Sequence, residues 1–183
     1  MTEPASAWRG INGVLWLDLE TTGLDPQQDQ ILEIYAELDV HGQRAVTRAE
    51  AAIAIGPKGS ERLRGNEYVE KMHNDSGLLR LCYSAGFSLE AVETSIVRAL
   101  HGCSKLLLAG NSIHFDLGFI RAQMPRLAAL LHHGVLDVSS IARFAESLGV
   151  PPFLGEPAHR AKADVQRSRL IYDYCMSTLA RKV

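Results

Sequence analysis

The chain has 183 residues, 46% of them hydrophobic and 22% charged, a length and balance that favour one domain with a sizeable core. Its formal charge of −2 argues against a polybasic protein that binds long nucleic acid, but it allows a small nucleic-acid substrate. The three cysteines have no Cys-x-x-Cys spacing, so neither a disulfide framework nor a zinc ribbon is indicated. No secretory signal is readable, and no apolar run approaches the roughly 20 residues that cross a bilayer. We therefore expect a cytoplasmic protein without a membrane partner, with a single domain over residues 1–183.

The first third of the chain predicts an antiparallel meander of three strands. Residues 13–20 (GVLWLDLE) are apolar and then alternate, and the turn residues 21–26 (TTGLDP) end this strand. A second strand is predicted over 31–40. His41-Gly42 then predicts a hairpin turn into a third strand that ends near Ile55.

Helices and short strands alternate over the rest of the chain. Ser88 and Ser139 are expected to cap the helices that follow them, and the prolines and glycine of 151–157 predict a rigid loop. Helices are predicted over 61–73, 88–100, 113–123, 124–131, 139–148 and 161–179, and strands over 105–109 and 135–138. A meander followed by alternating helices and strands is typical of an α/β fold with a mixed sheet.

Two carboxylates lie close together at the end of the first predicted strand. Asp18 and Glu20 are two residues apart, so their side chains point to the same face of the strand. Convergent carboxylates repel each other unless a cation sits between them, and their oxygens suit Mg²⁺ or Mn²⁺. By itself such a pair is more often the solvated end of a strand. The apolar run before it (VLWL) favours a metal site, because it carries the pair to the edge of a buried sheet.

A third acid and a histidine-containing segment follow later in the chain. Asp116 lies at the start of the helix over 113–123, where the helix dipole alone would also favour an acid. The preceding turn, Gly110-Asn111-Ser112, would present N–H groups and a hydroxyl suited to a phosphate. His159 and Asp164 could combine a general base with a metal ligand, although a lone histidine is more often a surface or capping residue. A solvated helix face accounts for at least half of the surrounding cations, which are Arg160, Lys162, Arg167 and Arg169.

The chain order D-x-E, then D, then H-x₄-D is more specific than any of its parts. On these motifs the sequence resembles the DEDDh 3′–5′ exonucleases, and within them the oligoribonucleases, over residues 16–174. The matching segments are WLDLETTGL at 16–24, DQILEI at 29–34, MHNDSGL at 72–78, GNSIHFD at 110–116, MP at 124–125, LDVS at 136–139 and HRAKAD at 159–164. The stretches around Met72, Asn111 and Asp137 separate oligoribonucleases from proofreading subunits of the same superfamily.

The resemblance implies an RNase H-like mixed sheet flanked by helices, and an enzyme that cuts short single-stranded oligonucleotides to nucleoside 5′-monophosphates. It also implies a homodimer, with residues 127–138 at or near the interface. Two divalent ions, Mg²⁺ or Mn²⁺, would be bound by Asp18, Glu20, Asp116 and Asp164. His159 would act as general base, a role that fits a side chain that exchanges protons near neutral pH. The implied substrate contacts are Leu24 as a wedge against the terminal bases, His73 and Tyr68 beside it, and Ser112 and Ser139 around a 5′ phosphate.

The sequence departs from this resemblance where the 5′ phosphate would be bound. Oligoribonucleases usually read H-Y-R where this chain has His132-His133-Gly134, so an arginine of the phosphate cap and a tyrosine that reaches across the dimer are missing. Loss of a guanidinium should weaken capture of a terminal phosphate. Thr21 stands where a methionine is typical, which is closer to proofreading exonucleases. The residues that could compensate for the missing arginine are His133, Arg121, Arg126 and Arg160.

Two alternatives to an RNA-cleaving enzyme therefore stay open. The first keeps the chemistry but acts on short DNA or proofreading-type substrates. The second is a catalytically silent nucleic-acid-binding module, which the presence of all five catalytic residue types disfavours. A zinc hydrolase has little support, because the chain has no His-Glu-x-x-His and His132-His133 are expected to end a helix.

Overall fold

The structure, a computed structural model, describes residues 10–40, 43–153 and 155–181. In these ranges five strands form one sheet in the order β3-β2-β1-β4-β5. The strands are β1 (Gly13–Thr21), β2 (Ile31–Val40), β3 (Gln43–Ala52), β4 (Leu106–Gly110) and β5 (Leu131–Asp137). The meander β1-β2-β3 is antiparallel, whereas β4 lies parallel to β1 and β5 parallel to β4. The predicted α/β fold with a mixed sheet is confirmed, and the His41-Gly42 turn lies outside the described residues.

Helices flank this sheet and connect its strands. They are α1 (Pro57–Arg64), α2 (Glu67–Asp75), α3 (Leu78–Ala85), α4 (Leu89–Ala99), α5 (His114–Gln123), α6 (Pro125–Ala128), α7 (Val138–Ser147) and α8 (Ala161–Ala180). Among the described residues, no helix combines the length and the apolar character needed to span a membrane.

The single helix predicted over 61–73 is wrong, because two helices cover this part of the chain. Asn66 starts α2 by accepting a hydrogen bond from the N–H of Val69 at 3.3 Å, and this cap separates α2 from α1. A third helix, α3, follows Gly77, where the sequence predicts none. Gly77 has φ +75°, a left-handed backbone that glycine adopts without strain.

The helix predicted over 124–131 is wrong beyond its first turn. α6 ends at Ala128, and β5 begins at Leu131 and pairs with β4. His132 and His133 therefore lie in a strand at the edge of the sheet rather than at a helix end. The parallel ladder with β4 is a non-local interaction that local spacing does not reveal.

The two predicted serine caps have different outcomes. Ser88 caps α4 as predicted, since its hydroxyl oxygen accepts a hydrogen bond from the N–H of Ala91 at 3.2 Å. Ser139 is not the cap of α7. Asp137 has that position, and its Oδ1 accepts from the N–H of Ser140 at 3.2 Å and from the Ser139 hydroxyl at 2.6 Å. A carboxylate suits the positive end of the helix dipole.

The two faces of β1 pack against different layers, and this determines where its acids point. Leu15, Leu17 and Leu19 face a core that α4 and α5 cover. Trp16 faces a second core, built with α7 and α8. Because side chains alternate along a strand, residues 18 and 20 continue the face of Trp16 and point toward the layer that contains α8.

Candidate active site

Three carboxylates from β1 and α8 converge at the end of β1. Asp18 and Glu20 belong to β1, and Asp164 lies in the first turn of α8. One ligand oxygen from each of the three lies within 4.8 Å of the other two. The structure thus brings together three of the four residues predicted to bind metal.

Asp116, the fourth predicted ligand, is anchored beside this group. It lies in the first turn of α5 and is only 3% exposed. Its Oδ1 accepts a hydrogen bond from the N–H of Leu19, the residue between Asp18 and Glu20, at 2.9 Å. This bond holds the Asp116 carboxylate against the end of β1, next to the other acids.

His159 lies in the loop before α8 and faces the same groove as the acids. Its φ of +52° is in the left-handed region, which is uncommon for a residue other than glycine and is often found at functional sites. The Asp164 carboxylate accepts hydrogen bonds from the N–H groups of Ala158 at 3.0 Å and Arg160 at 3.3 Å, so the His159 loop is folded around Asp164. The groove has a volume of about 190 Å³, and its lining includes Asp18, Glu20, Asn111, His159, Asp164 and Arg167.

Burial, together with mutual repulsion at Asp18 and Glu20, raises the pKa values of three acids of the site, which are Asp18, Glu20 and Asp116. Burial, followed by the charge of Asp164, raises the pKa of Glu20 to about 8. Burial and the charges of Asp116 and Glu20 raise the pKa of Asp18 well above its usual range. Burial also raises the pKa of Asp116. Carboxylates that resist ionisation because they crowd one another are stabilised by a divalent cation between them.

The metal-free protein should lose stability as the pH rises toward 8. The folded pKa of Glu20, about 8, lies above the ordinary 4.5, so between these values the folded chain holds more protons than the unfolded chain. Raising the pH through this window therefore lowers the free energy of unfolding, and we expect a loss of about 1–3 kcal/mol. Urea unfolding in EDTA at several pH values measures this loss. Saturating Mn²⁺ should reverse it, because a bound ion favours the folded state.

The variant Glu20→Gln is the control for that measurement. It removes the titrating carboxyl, so the fall in the free energy of unfolding with pH should become shallower in EDTA. If the free energy of unfolding of the wild-type protein stays flat or rises between these pH values, the raised pKa that we assign to Glu20 is wrong.

Leu24, the predicted wedge, projects from the turn after β1 with 81% of its surface exposed. The turn rests on Asp29, a carboxylate that is only 5% exposed. Asp29 accepts hydrogen bonds from the N–H of Asp25 at 2.9 Å, the hydroxyl of Thr22 at 3.1 Å and Nε of Arg62 at 2.7 Å. These hydrogen bonds hold the turn in place, so Leu24 has the fixed position that a wedge against a nucleobase requires.

Tyr68 and His73 both lie on α2, but in opposite environments. Tyr68 is 74% exposed and open to a ligand. His73 is completely buried; its Nε2 donates to the carbonyl oxygen of Thr21 at 2.9 Å, and its Nδ1 lies 3.8 Å from Oε2 of Glu20. Burial lowers the pKa of His73. The structure thus places His73 in the interior, next to Glu20. Its contact with substrate beside Leu24 stays a prediction.

The remaining predicted substrate contacts lie in or after β4 and β5. They are Ser112, Ser139 and His133. Ser112 has φ +51°, so a second predicted site residue has a left-handed backbone. Ser139 donates its hydroxyl to Asp137 at 2.6 Å, and His133 is exposed on β5. Ser112 and Ser139 thus follow the carboxyl ends of β4 and β5, whereas His133 lies near the start of β5. The substrate contacts of all three residues stay predictions.

The arginines near the site have partners that the sequence does not reveal. Arg126 pairs with Glu93 at 2.9 Å and Arg160 with Glu33 at 2.7 Å, so two of the four residues that could replace the missing cap arginine are engaged in ion pairs. Arg169 is 9% exposed, which excludes a solvated face for that residue.

Glu33 and Arg167 contribute to the site, although the sequence assigns Glu33 no role and indicates Arg167 only as one of the cations near His159. Glu33 interrupts an apolar run in β2 (ILEIYA), and a charge in the middle of a buried strand is the signal that could have found it. Arg167 lines the groove and donates from Nη2 to the carbonyl oxygen of Gly155 at 2.5 Å. Arg167 places a guanidinium beside the carboxylates, which suits a phosphate.

Comparison with known proteins shows the same family that the motifs indicate. The family model RNase_T, described as Exonuclease, matches residues 15–172. An oligoribonuclease of Corynebacterium efficiens is 34% identical over 179 residues, which cover 93% of this chain and 80% of the relative. An oligoribonuclease of Cutibacterium acnes is 32% identical over 166 residues, with 85% and 80% covered. A probable oligoribonuclease of Schizosaccharomyces pombe is 27% identical over 162 residues, with 85% and 64% covered.

A solved structure shows the same fold at low sequence identity. The crystal structure of E. coli Exonuclease I in complex with a 5cy-dA13 oligonucleotide matches with a TM-score of 0.60 and 15% identity over 91% of this chain. Our chain spans 40% of the length of that enzyme chain. The family match over most of the sequence confirms the resemblance. The chain belongs to the RNase_T exonuclease family and, within it, is an oligoribonuclease-like member.

Proposed function

We propose that this exonuclease removes nucleotides from the 3′ ends of short oligonucleotides, RNA above all, and releases nucleoside 5′-monophosphates. The observation that carries the proposal is the convergence of Asp18, Glu20 and Asp164 in a groove that His159 also lines. The relatives named oligoribonuclease support the substrate class. We further infer that residues 1–183 act as one exonuclease domain. The free thiols of all three cysteines support a cytoplasmic location.

The donor set of the groove fits two divalent ions, Mg²⁺ or Mn²⁺. Its oxygens are carboxylate oxygens. Burial, followed by repulsion from neighbouring acids, raises the pKa values of Asp18 and Glu20, and a cation bound there would relieve that repulsion. Asp18, Glu20 and Asp164 would hold the ions together with Asp116. When bound, such a pair of ions supplies Lewis-acid charge on both sides of the phosphodiester that is cut.

The residues of the chain itself then divide the remaining tasks. His159 accepts the proton of the attacking water at an unprotonated ring nitrogen. Leu24 packs against the terminal base, and Tyr68 offers an exposed ring beside the path of the substrate. Arg167 contributes a guanidinium toward a phosphate of the strand.

Product analysis in water enriched in oxygen-18 tests the proposed reaction. A 5′-labelled oligonucleotide should shorten from its 3′ end, and each released nucleotide should carry the heavy oxygen in its 5′-phosphate. Products with 3′-phosphates or cyclic phosphates, or shortening from the 5′ end, would overturn the proposal. Efficient cleavage of DNA but not RNA would favour the alternative substrate, which the missing cap arginine at Gly134 supports.

A weak dependence on the 5′ phosphate is expected because Gly134 replaces the cap arginine. A charge-assisted hydrogen bond of this kind is worth about 1.5–3 kcal/mol, so Gly134→Arg should tighten binding of a 5′-phosphorylated dinucleotide roughly ten- to a hundredfold. A side chain there would meet Nδ1 of His132 at 3.2 Å, a contact that a small movement of the imidazole relieves. Binding titrations with phosphorylated and unphosphorylated dinucleotides measure the effect on both proteins. If the wild-type protein already binds the phosphorylated dinucleotide much more tightly than the unphosphorylated one, another residue supplies the phosphate cap.

A homodimer is expected from the resemblance, and we propose that its contact within 127–138 is made by the edge strand β5. Leu127 and Val138 are fully buried in the cores, whereas Val135 in the edge strand β5 is 37% exposed. An edge strand offers unpaired backbone groups to a second chain. Sedimentation at micromolar concentration should give twice the monomer mass, and Val135→Lys should shift it toward monomer. If the wild-type protein sediments only as a monomer, the predicted homodimer is wrong.

A further inference from the structure

Glu33 is a buried charge directly opposite a predicted metal ligand. It lies in β2, is 2% exposed and is the register partner of Glu20 in β1. Its carboxylate does not join the group formed by Asp18, Glu20 and Asp164. Instead it accepts hydrogen bonds from Arg160, from Nη2 at 2.7 Å and from Nε at 3.1 Å, and from the N–H of Ala161 at 2.9 Å. These bonds direct the Glu33 oxygens toward the start of α8.

Arg160 directly follows His159, so its anchor bears on the conformation of the proposed general base. The N–H groups of Ala158 and Arg160 both donate to Asp164, and the Arg160 side chain donates to Glu33. His159, with φ +52°, is therefore held on both sides. A left-handed backbone at a residue other than glycine persists only when the surrounding structure holds it.

The Arg160 guanidinium also reaches the segment that begins α3. Its Nη1 donates to the carbonyl oxygen of Ser76 at 3.4 Å, at the end of the helix that carries Tyr68. One side chain thus links the loop of His159 to β2 and to α2. Its partners are 127 and 84 residues away in sequence.

We propose that Glu33 is a positioning residue of the exonuclease reaction, which acts through Arg160 to hold His159 where it accepts the proton of the attacking water. The inference rests on the proposed function. In this role Glu33 contacts neither the substrate nor a metal ion. Its effect should fall on the chemical step and should depend on the presence of the His159 imidazole.

The first test is Glu33→Gln in the full-length protein, assayed on a 5′-phosphorylated RNA dinucleotide with Mn²⁺. The amide keeps the shape of the side chain but loses the charge and one of the acceptors for Arg160. A misplacement of about 1 Å at a catalytic group costs up to about a hundredfold, so kcat should fall about 10- to 100-fold while KM changes less than about 3-fold. The midpoint of a Mn²⁺ titration, followed by thermal shift, should stay within about 3-fold of wild type.

The same substitution in a His159→Ala background separates positioning from general loss of structure. Without the imidazole there is nothing to position, so Glu33→Gln should then lower the residual kcat by less than about 3-fold. An equal fall in kcat in the wild-type and His159→Ala backgrounds would overturn the inference. An effect of Glu33→Gln on KM or on the Mn²⁺ midpoint in place of kcat would overturn it as well.

Glu93→Gln is the matched control. Glu93 is 4% exposed and binds Nε of Arg126 at 2.9 Å and the N–H groups of Arg126 and Leu127 at 2.7 and 3.1 Å, an arrangement like that of Glu33 but between α4 and α6. It should leave kcat unchanged at temperatures where the variant is folded. If it lowers kcat as much as Glu33→Gln, loss of a buried ion pair explains both results and the inference is wrong.

Arg160→Lys tests the same positioning role if the Glu33→Gln protein does not fold. Lysine keeps the positive charge but cannot donate two parallel hydrogen bonds to Glu33. A fall in kcat at constant KM supports positioning, and wild-type kcat overturns it. A wild-type protein without activity on the dinucleotide would instead refute the proposed function, which is a distinct outcome from an active wild type with unaffected variants.

Discussion

Replacing Asp18 or Asp116 with asparagine should lower kcat by several orders of magnitude, because each substitution removes a negative ligand that holds the catalytic cations. The fold should survive. An asparagine at 116 keeps an amide oxygen that can accept the hydrogen bond from Leu19, and the substitution at 18 relieves repulsion from Glu20. Single-turnover cleavage of a short RNA with Mg²⁺ or Mn²⁺ measures the loss.

Asp173→Asn is the control for a change of one charge. Asp173 lies on α8, is half-buried, and forms its side-chain hydrogen bonds with Arg44 of β3 and not with the carboxylate cluster. It should retain wild-type turnover. Near-native activity of Asp18→Asn or Asp116→Asn, at matched free energies of unfolding, would show that the metal-ligand assignment is wrong.

Replacing His159 with alanine should lower kcat about 10²- to 10⁴-fold, the usual contribution of a positioned general base. Binding of metal and of oligonucleotide should persist, because the carboxylates and the exposed Leu24 are unchanged. In the wild type, activity should rise from about pH 6 to about pH 8, because a general base accepts a proton only in its unprotonated form. Stopped-flow cleavage over this range, with binding measured in parallel by fluorescence, gives both quantities.

Two results would count against the role of His159. One is a flat pH profile under conditions where chemistry limits the rate. The other is an alanine variant whose loss of activity is matched by a loss of oligonucleotide binding, since a general base contributes to the chemical step and not to affinity.

Much of the fold follows from local sequence patterns. The alternation in β1, the apolar β4 and the serine cap of α4 each depend on residues close in sequence, and the structure agrees with all three. The predicted boundary between α6 and β5 is wrong, because pairing with β4 sets where β5 begins and the composition of 124–138 suits either a helix or a strand.

The candidate site shows the same difference between what local motifs predict and what depends on residues far apart in sequence. The motif order identified the four acids and His159, since each stands in a short recognisable segment. The support for these residues was not predictable, because it comes from partners far apart in the chain: Arg160 with Glu33, and Arg62 with Asp29. His73 shows the same limit, as its burial beneath Glu20 depends on how α2 packs and not on its neighbours in sequence.

The most direct measurement of the central claim is a digest of end-labelled RNA and DNA, two to ten nucleotides long, side by side with Mg²⁺, Mn²⁺ or EDTA. The wild-type protein should shorten the RNA from its 3′ end down to mononucleotides with either metal and leave it intact in EDTA, and Asp116→Asn should leave it intact throughout. Cleavage that continues in EDTA, or an Asp116→Asn protein as active as the wild type, would contradict the account.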